Sequence, residues 1–420
     1  MVTHSSQQWP NITICSLKKF DASALKIMND VISGTSGGPP KSAELTEWKT
    51  KFEEFQENAE KLIKSYGNAI LDAQKIADVN AIYSWEGMVA NFDEQVLKNA
   101  AARDYIVDCN IVGNHIAPKG CKMSTKFDRK NGMCYTVNPK MDDIMPPREK
   151  HVELIISTVA SASQDMLDVT PLGISADALK NLGPEEGVKI ILDDSDGSPE
   201  QFEVRSGNEI EVRLKRTEVK RLQQPYGECE KGEVYGNDCL DKCYEHMFLM
   251  YCGCIPLITG RATGQKFCSK LPDVRNKCDP SGTLSTDCKD MVKNFRLILN
   301  CSKTGFSTDL SCHCPAPCED TQYNILTTSF ALNGIPPKVS AYWNSMDDNT
   351  KNDIQSLHTN FDLKSLSTKI RIKLDITTTE SVQVAAMTIA SLLRDIYFHF
   401  MITILVLANL IYAICGRNGK

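Results

Sequence analysis

Two cysteine-rich stretches decide the fold of this chain: DCLDKCYEHMFLMYCGC at residues 238–254 and CHCPAPC at residues 312–318. On a helix, residues four apart share a face about 6 Å apart along the axis, which suits Cys239 and Cys243. On a strand, residues two apart share a face at about 6.6 Å, which suits the first two cysteines of the second stretch. The spacing predicts two disulfide bridges between a helix and a strand, either Cys239–Cys314 with Cys243–Cys312 or Cys239–Cys312 with Cys243–Cys314.

The cysteine content of the whole chain indicates an oxidising compartment. Seventeen of the 420 residues are cysteine, and twelve of them fall between Cys229 and Cys318. Clusters of this density are typical of disulfide frameworks in extracellular domains, where bridges are structural rather than redox-active. Zinc binding is the alternative, but a Cys-x-Cys pair fits one tetrahedral site poorly and the Cys-x2-Cys spacing is missing. We therefore expect disulfides, with no metal and no cofactor.

Composition excludes several classes of function. The chain is 42% hydrophobic and 24% charged with a net charge of −6, so it can bury a core but offers no broad cationic surface to nucleic acid. It contains no GxSxG, HExxH or P-loop motif, and we expect no enzymatic activity. Its length allows one elaborated domain or about two to three ordinary ones.

A membrane-spanning helix is predicted near the C-terminus. Residues 396–415 contain no Asp, Glu, Lys or Arg, and a helix of that length is about 30 Å long, which matches the hydrocarbon core of a bilayer. Arg417 and Lys420 follow it, so residues 416–420 are predicted to form a short cytoplasmic tail.

The N-terminus does not explain how the cysteines would reach the outside of the cell. Residues 1–15 contain no apolar core of a signal peptide, so we expect a first membrane span upstream of this chain. Two sequons, at Asn11 and Asn300, predict glycosylation of an extracellular domain.

Hydrophobic periodicity predicts an α+β class with helical insertions around a β core. Strands are predicted at residues 12–15, 134–137, 151–159, 188–192, 209–214 and 369–376. Helices are predicted within the charged region 43–102, at 239–251 after the capping Asp238, and at 381–393.

Several motifs, taken in chain order, resemble one family. They are WPNITIC at 9–15, NGMCYTVN at 131–138, RTEVKRLQQPYGEC at 216–229, the two cysteine-rich stretches, and SLLRDI at 391–396. In this order the chain is similar to the superfamily of degenerins, epithelial sodium channels and acid-sensing ion channels, the amiloride-sensitive sodium channels. The resemblance covers residues 9–396, and the cysteine ladder with its C-x-C-P-x-P-C ending is the most specific part of it.

The resemblance implies a disulfide-rich finger-palm-thumb ectodomain at residues 9–395 around a β core, followed by one C-terminal transmembrane helix. Its parts would be a helical finger at 21–104, palm and β-ball strands at 105–225, a cysteine-rich thumb at 226–318, and knuckle and palm segments at 319–380. Tyr226 would occupy a turn that touches the first span and couples thumb movement to the gate.

The resemblance also implies a disulfide pairing. Seven bridges follow from it: Cys15–Cys134, Cys109–Cys121, Cys229–Cys318, Cys239–Cys314, Cys243–Cys312, Cys252–Cys278 and Cys254–Cys268. Cys288 and Cys301 are left over and are expected to pair with each other.

The function implied is that of a plasma-membrane sodium channel subunit, with a large extracellular domain, in a homo- or heterotrimer with related subunits in the lipid bilayer. Its gate would respond to a ligand, protons or force. Residues 396–415 contain no glycine, whereas the family's filter uses small residues, so we expect the pore to be incomplete and assign no pore residue. The alternative is a non-conducting, membrane-anchored receptor or modulatory subunit.

Acid sensing would need titratable groups with shifted pKa values, and a few candidates stand out. They are the acidic cluster Asp193, Asp194 and Asp196, the pair Glu185 and Glu186, and His399 at the membrane boundary. The competing interpretations are that the acidic residues are solvated charges in loops and that His399 has a structural role at the membrane interface.

Overall fold

The computed structural model describes residues 9–35, 40, 42–66, 72–113, 118–139, 151–174, 186–193, 199–221, 229, 236–257, 267–275, 277–278, 285–304, 312, 314–358 and 361–382. These residues form a mixed α+β structure, as predicted. The helices are α1 Ala22–Ser33, α2 Ala43–Lys64, α3 Asp72–Tyr83, α4 Trp85–Asn91, α5 Glu94–Ala100, α6 Gly236–Cys252, α7 Thr286–Thr304, α8 Pro337–Ser345 and α9 Asp348–Leu357. The strands are β1 Asn11–Ser16, β2 Phe20–Asp21, β3 Ile106–Val112, β4 Lys119–Gly120, β5 Met123–Asp128, β6 Gly132–Val137, β7 His151–Ser157, β8 Ser161–Ala162, β9 Gly187–Asp193, β10 Glu200–Arg205, β11 Asn208–Lys220, β12 Glu319–Ala331 and β13 Ser367–Val382.

The strands form two large sheets that share one core. One sheet has the order β10-β9-β1-β6-β5 and the other β12-β11-β13-β7-β3-β4, while β2 and β8 pair separately. Apolar residues of both sheets, such as Ile14 and Leu154, belong to one buried cluster. Gly187, at the start of β9, has φ +139°, and a Cβ there would lie 2.0 Å from the carbonyl oxygen of Val204. Only glycine fits this close approach between β9 and β10.

Strand β1 confirms the first predicted strand and lies at the centre of its sheet. It pairs antiparallel with β6 on one side and β9 on the other. Ile12 and Ile14 are fully buried, because a central strand is covered on both edges and its apolar side chains face the shared core. Cys15 stands opposite Cys134 in the ladder, so register alone places these two cysteines side by side.

Helices α1 to α5 form a second core around α2, as the helical spacing of its apolar residues predicts. Trp48 and Phe52 are completely buried on one face of α2, and the indole Nε1 of Trp48 donates a hydrogen bond to the carbonyl of Ala24 on α1 (3.3 Å). Ser42 caps α2 by accepting a hydrogen bond from the backbone nitrogen of Leu45.

The long strand β11 lies between β12 and β13 in the second sheet. It pairs antiparallel with β12 along its whole length and parallel with β13. The predicted helix at 381–393 is wrong at its first two residues, because Ser381 and Val382 continue β13 and pair in register with Val219 and Lys220. Residues 383–393 and the predicted span at 396–415 lie outside the described residues. Among the helices of the described ranges, none combines the length and apolar character that a membrane crossing requires.

Candidate functional site

Three strand ends meet at one point of the second sheet. Lys220, the last residue of β11, stands opposite Glu319, the first residue of β12, and beside Val382, the last residue of β13. β13 leads on towards the predicted membrane segment, and the two cysteine-rich helices α6 and α7 lie in the chain between β11 and β12. We call α6, α7 and their connecting residues 253–285 the two-helix unit, and this meeting point its base.

Arg221 holds the base together. Its Nη2 atom donates to the Asp320 carboxylate (3.2 Å) and its Nη1 atom donates to the carbonyl of Pro317 (2.9 Å). Its backbone nitrogen donates to the carbonyl of Cys318 (2.7 Å), so Arg221, directly after β11, is bonded to two residues just before β12 and to one residue within it. The Asp320 side chain is 5% exposed and also accepts a hydrogen bond from Gln322 (3.0 Å). A buried, hydrogen-bonded ion pair of this kind constrains geometry strongly.

Disulfides join the two-helix unit to the segment that enters β12. Cys229 is bonded to Cys318 at the base, and the ladder has the antiparallel register, with Cys239 bonded to Cys314 and Cys243 bonded to Cys312. Neither Cys312 nor Cys314 lies in a strand of the described residues, so the expectation of a strand there is not met. Two of the predicted bridges thus tie α6 to Cys312 and Cys314, and the third ties Cys229, which precedes α6, to the residue just before β12.

Two of the predicted bridges are wrong. The structure joins Cys252 to Cys301 and Cys278 to Cys288, whereas the resemblance implied Cys252–Cys278 and left Cys288 to pair with Cys301. Cys288 and Cys301 both lie on α7, thirteen residues apart. A helix rises about 20 Å over that distance, far more than the roughly 4.4–6.8 Å between Cα atoms that a disulfide allows. The other three bridges are present as predicted, namely Cys15–Cys134, Cys109–Cys121 and Cys254–Cys268.

A peptide map of the unreduced protein should contain Cys278 linked to Cys288, and Cys252 linked to Cys301. The expectation follows from the two ends of α7, which bring the partners together separately. Mass spectrometry of proteolytic fragments before and after reduction measures it. A fragment that links Cys288 to Cys301 would show that the helix does not extend between these two residues.

Two asparagine side chains, on helices α2 and α4, also hold the two-helix unit by hydrogen bonds to its backbone. Asn58 donates to the carbonyl of Pro272 (2.9 Å) and accepts from the backbone nitrogen of Val274 (2.9 Å). Asn91 makes the same two-sided contact three residues earlier in that segment, at 3.1 and 2.9 Å. Nothing in the sequence identifies these asparagines, because each lies within a helical pattern and its partner is nearly two hundred residues away or more.

An ion pair completes the attachment between α3 and α7. The Arg296 Nε atom lies 3.0 Å from the Asp78 Oδ2 atom, and the Asp78 side chain is 1% exposed. The guanidinium also stacks over the ring of Tyr66, with 5.3 Å between its central carbon and the ring centroid. Together with the asparagine contacts, this pair attaches the two-helix unit to the helical core.

The remaining predicted residues are only partly described. Asn11 is half-buried in β1 and Asn300 is exposed on α7, and their glycosylation stays a prediction. Tyr226 lies outside the described residues, as do Asp194, Asp196, Glu185 and His399. Within the described ranges, no group of three or more His, Cys, Asp or Glu side chains is placed to hold a metal ion.

A buried charge cluster that the sequence did not reveal lies beside α9. The fully buried Lys18 forms an ion pair with Glu186 (3.0 Å), one of the predicted acidic residues. Burial lowers the pKa of the nearby His358 to about 4, with a further contribution from the positive charge of Lys18, while Glu186 and Asp165 act in the opposite direction. His358 is therefore neutral in the folded protein near neutral pH.

Stability should fall as the pH drops from about 6.5 to about 4, and the His358→Gln variant should weaken this dependence. In that window the unfolded chain protonates His358 while the folded chain does not, so proton binding favours unfolding; above about pH 6.5 the contribution to stability is complete. We expect the difference between the two proteins to be roughly 1–2 kcal/mol after allowing for partial solvent exposure. Urea unfolding at a series of pH values measures it, and parallel curves for the two proteins would contradict it.

The chain matches a family of known proteins. The profile of the family described as amiloride-sensitive sodium channel matches residues 2–396. No individual curated protein matches the chain. The match spans far more than half of the 420 residues and includes both sheets, the helical core and the two-helix unit. On this ground, the chain belongs to the amiloride-sensitive sodium channel family.

Proposed function

We propose that this chain is a subunit of a trimeric, sodium-selective channel of the plasma membrane, with residues 9–395 on the extracellular side. Membership of an amiloride-sensitive sodium channel family supports a channel subunit directly. Eight disulfides among the described residues support an oxidising, extracellular location for the domain. The finger would correspond to helices α1–α5 and the thumb to the two-helix unit.

The observation that carries the proposal is the junction at the base of the two-helix unit. Force applied to α6 passes through two disulfides to Cys312 and Cys314, shortly before β12. The Cys229–Cys318 bridge and Arg221 then join the start of β12 to the residues that follow β11. β11 is hydrogen-bonded to β13 up to Val382, the last described residue before the predicted span. Stiff, covalently closed elements transmit a displacement with little loss, which suits a domain that moves a gate.

Two kinds of stimulus could act on the extracellular domain. A ligand or a force that displaces the helical core would move the two-helix unit through Asp78 and the two asparagine contacts. Protonation is a second route, because His358 lies against α9 and changes charge only well below neutral pH. We propose that the extracellular domain converts one of these signals into movement of β13.

The test is an electrophysiological measurement on cells that express the chain alone and together with a pore-forming subunit of the same family. A sodium current that amiloride blocks, and that disappears when sodium is replaced by an impermeant cation, is the expected result. Surface labelling in the same cells counts the subunits. A chain that reaches the surface and neither carries nor alters a sodium current would overturn the proposal.

The composition of residues 396–415 favours a second candidate function, a non-conducting modulatory subunit. This segment contains no glycine, and a narrow filter needs small residues so that backbone carbonyls or helices can approach one another. The co-expression experiment separates the two functions. A modulatory subunit changes the partner's current without supporting any current alone, whereas a pore-forming subunit conducts in both settings.

A further inference from the structure

A cleft between the end of α2, α3 and α7 has no assigned role. Its volume is about 340 Å³, and its walls include Tyr66, Lys289, Lys293 and Arg296. None of the side chains that line it in the described residues is acidic. A cleft of this size can hold a small organic molecule rather than only a single ion.

The cationic side chains of this cleft form one stripe along α7. Lys289, Lys293 and Arg296 follow at intervals of four and three residues, which places them on the same helical face. Asp78 neutralises Arg296, but Lys289 and Lys293 have no acidic partner within the described chain. Like charges four residues apart on a helix destabilise it, so two unpaired lysines in this register carry a cost that an anion would relieve.

The wall of the cleft also contains two buried donors without partners. The hydroxyl of Tyr66 is buried and makes no hydrogen bond, and Tyr66 as a residue is only 5% exposed. The Arg296 Nη2 atom is likewise buried and unbonded. Unsatisfied buried donors are rare and unfavourable, and both of these belong to residues that line the same cleft. Their shared requirement is a hydrogen-bond acceptor.

We propose that this cleft binds a small organic anion through an oxyanion group, phosphoryl or carboxylate, with Lys289 and Lys293 supplying charge and Tyr66 and Arg296 supplying hydrogen bonds. Oxyanions offer several acceptor oxygens and match this set of donors. The bound anion would contact the helical core and α7 at once and so would reinforce the attachment that Asp78 makes. Binding at this cleft does not require that the chain conducts sodium, so its test is independent of the channel proposal.

The test is thermal unfolding of the purified full chain, titrated with inorganic pyrophosphate in the millimolar range at constant ionic strength. Pyrophosphate is chosen because its linked phosphoryl groups can contact both lysines. A parallel titration with citrate distinguishes phosphoryl from carboxylate ligands. The protein is deglycosylated first, because the predicted glycosylation site Asn300 also lines the cleft. We expect a saturable rise in Tm of about 2 °C or more with at least one of the two anions.

Two variants make the result specific. The double variant Lys289→Gln, Lys293→Gln should weaken binding about tenfold or more, whereas the control Lys270→Gln, Lys338→Gln removes the same charge from exposed positions outside the cleft and should bind as the wild type does. Tyr66→Phe should raise Tm without anion, because it removes the unpaired hydroxyl, and should reduce the rise that the anion causes. The proposal is overturned if neither anion gives a saturable shift, or if the cleft variant and the control behave alike.

Discussion

Replacing Asp78 with alanine is expected to lower the free energy of unfolding by about 3–5 kcal/mol. Asp78 is the acidic partner of Arg296, its side chain is 1% exposed, and the Arg296 side chain is 20% exposed. Arginine stays protonated at any relevant pH, so loss of the carboxylate leaves a positive charge in a largely buried position. Chemical unfolding of the wild type and the variant, followed by the fluorescence of the buried tryptophans, measures the difference.

The matched control is Glu57→Ala. Glu57 forms an ion pair with Lys61 at 2.8 Å, a shorter contact than the Asp78 pair, but this pair is at the surface of α2. Surface pairs contribute little, because water solvates the separated charges almost as well. We therefore expect the control to unfold as the wild type does. Equal losses in the two variants would mean that burial does not decide the strength of the attachment between α3 and α7.

Removal of the Cys15–Cys134 bridge by a double alanine variant should cost about 4–5 kcal/mol, the second large effect. This bridge closes a loop of 119 residues that contains helices α1 to α5, and the Cys109–Cys121 bridge nested in it shortens that loop by only 12 residues. Loop-closure entropy grows with the logarithm of loop length, so a long loop gains more from closure than a short one. Thermal and chemical unfolding of the oxidised proteins measure the loss.

The Cys109–Cys121 bridge offers the matched control, because it closes a loop of only 12 residues between β3 and the residues that follow β4. Its removal by alanine should cost about 3 kcal/mol, roughly 2 kcal/mol less than removal of the longer bridge. If the short bridge proves as costly as the long one, local packing rather than loop entropy would govern both. The comparison therefore separates the contribution of loop length from that of local packing.

The sequence predicted those elements whose signals are local. Strand β1 and helix α2 followed from hydrophobic spacing, because each buries one continuous set of apolar side chains. Spacing left the register of the cysteine ladder open between two choices, and the family resemblance selected the antiparallel one, which the structure contains. The error in the pairing of Cys252 and Cys288 came from the pairing that the resemblance implied. Helix α7 was not predicted, and its rise would have excluded a bridge between Cys288 and Cys301.

The contacts that attach the two-helix unit to the rest of the domain could not be predicted in this way. Arg296 and Asp78 are 218 residues apart, and Asn58 is 214 residues from Pro272. The periodicity of a helix does not indicate which distant residue a single polar side chain contacts. Only the tertiary structure shows which of the many charged residues are paired. The same reason explains why the cleft beside Arg296 was not anticipated.

The central claim is that the base of the two-helix unit transmits movement to β13, and Asp320 tests it most directly. Asp320→Asn keeps the shape of the side chain but removes the charge that holds Arg221, while the control Asp348→Asn changes an exposed residue at the start of α9. The measurement is sodium current per surface subunit in cells that express each protein with a pore-forming family member. We predict that Asp320→Asn changes it about fivefold or more at unchanged surface abundance and that the control does not. Equal currents per surface subunit in all three proteins would contradict the claim.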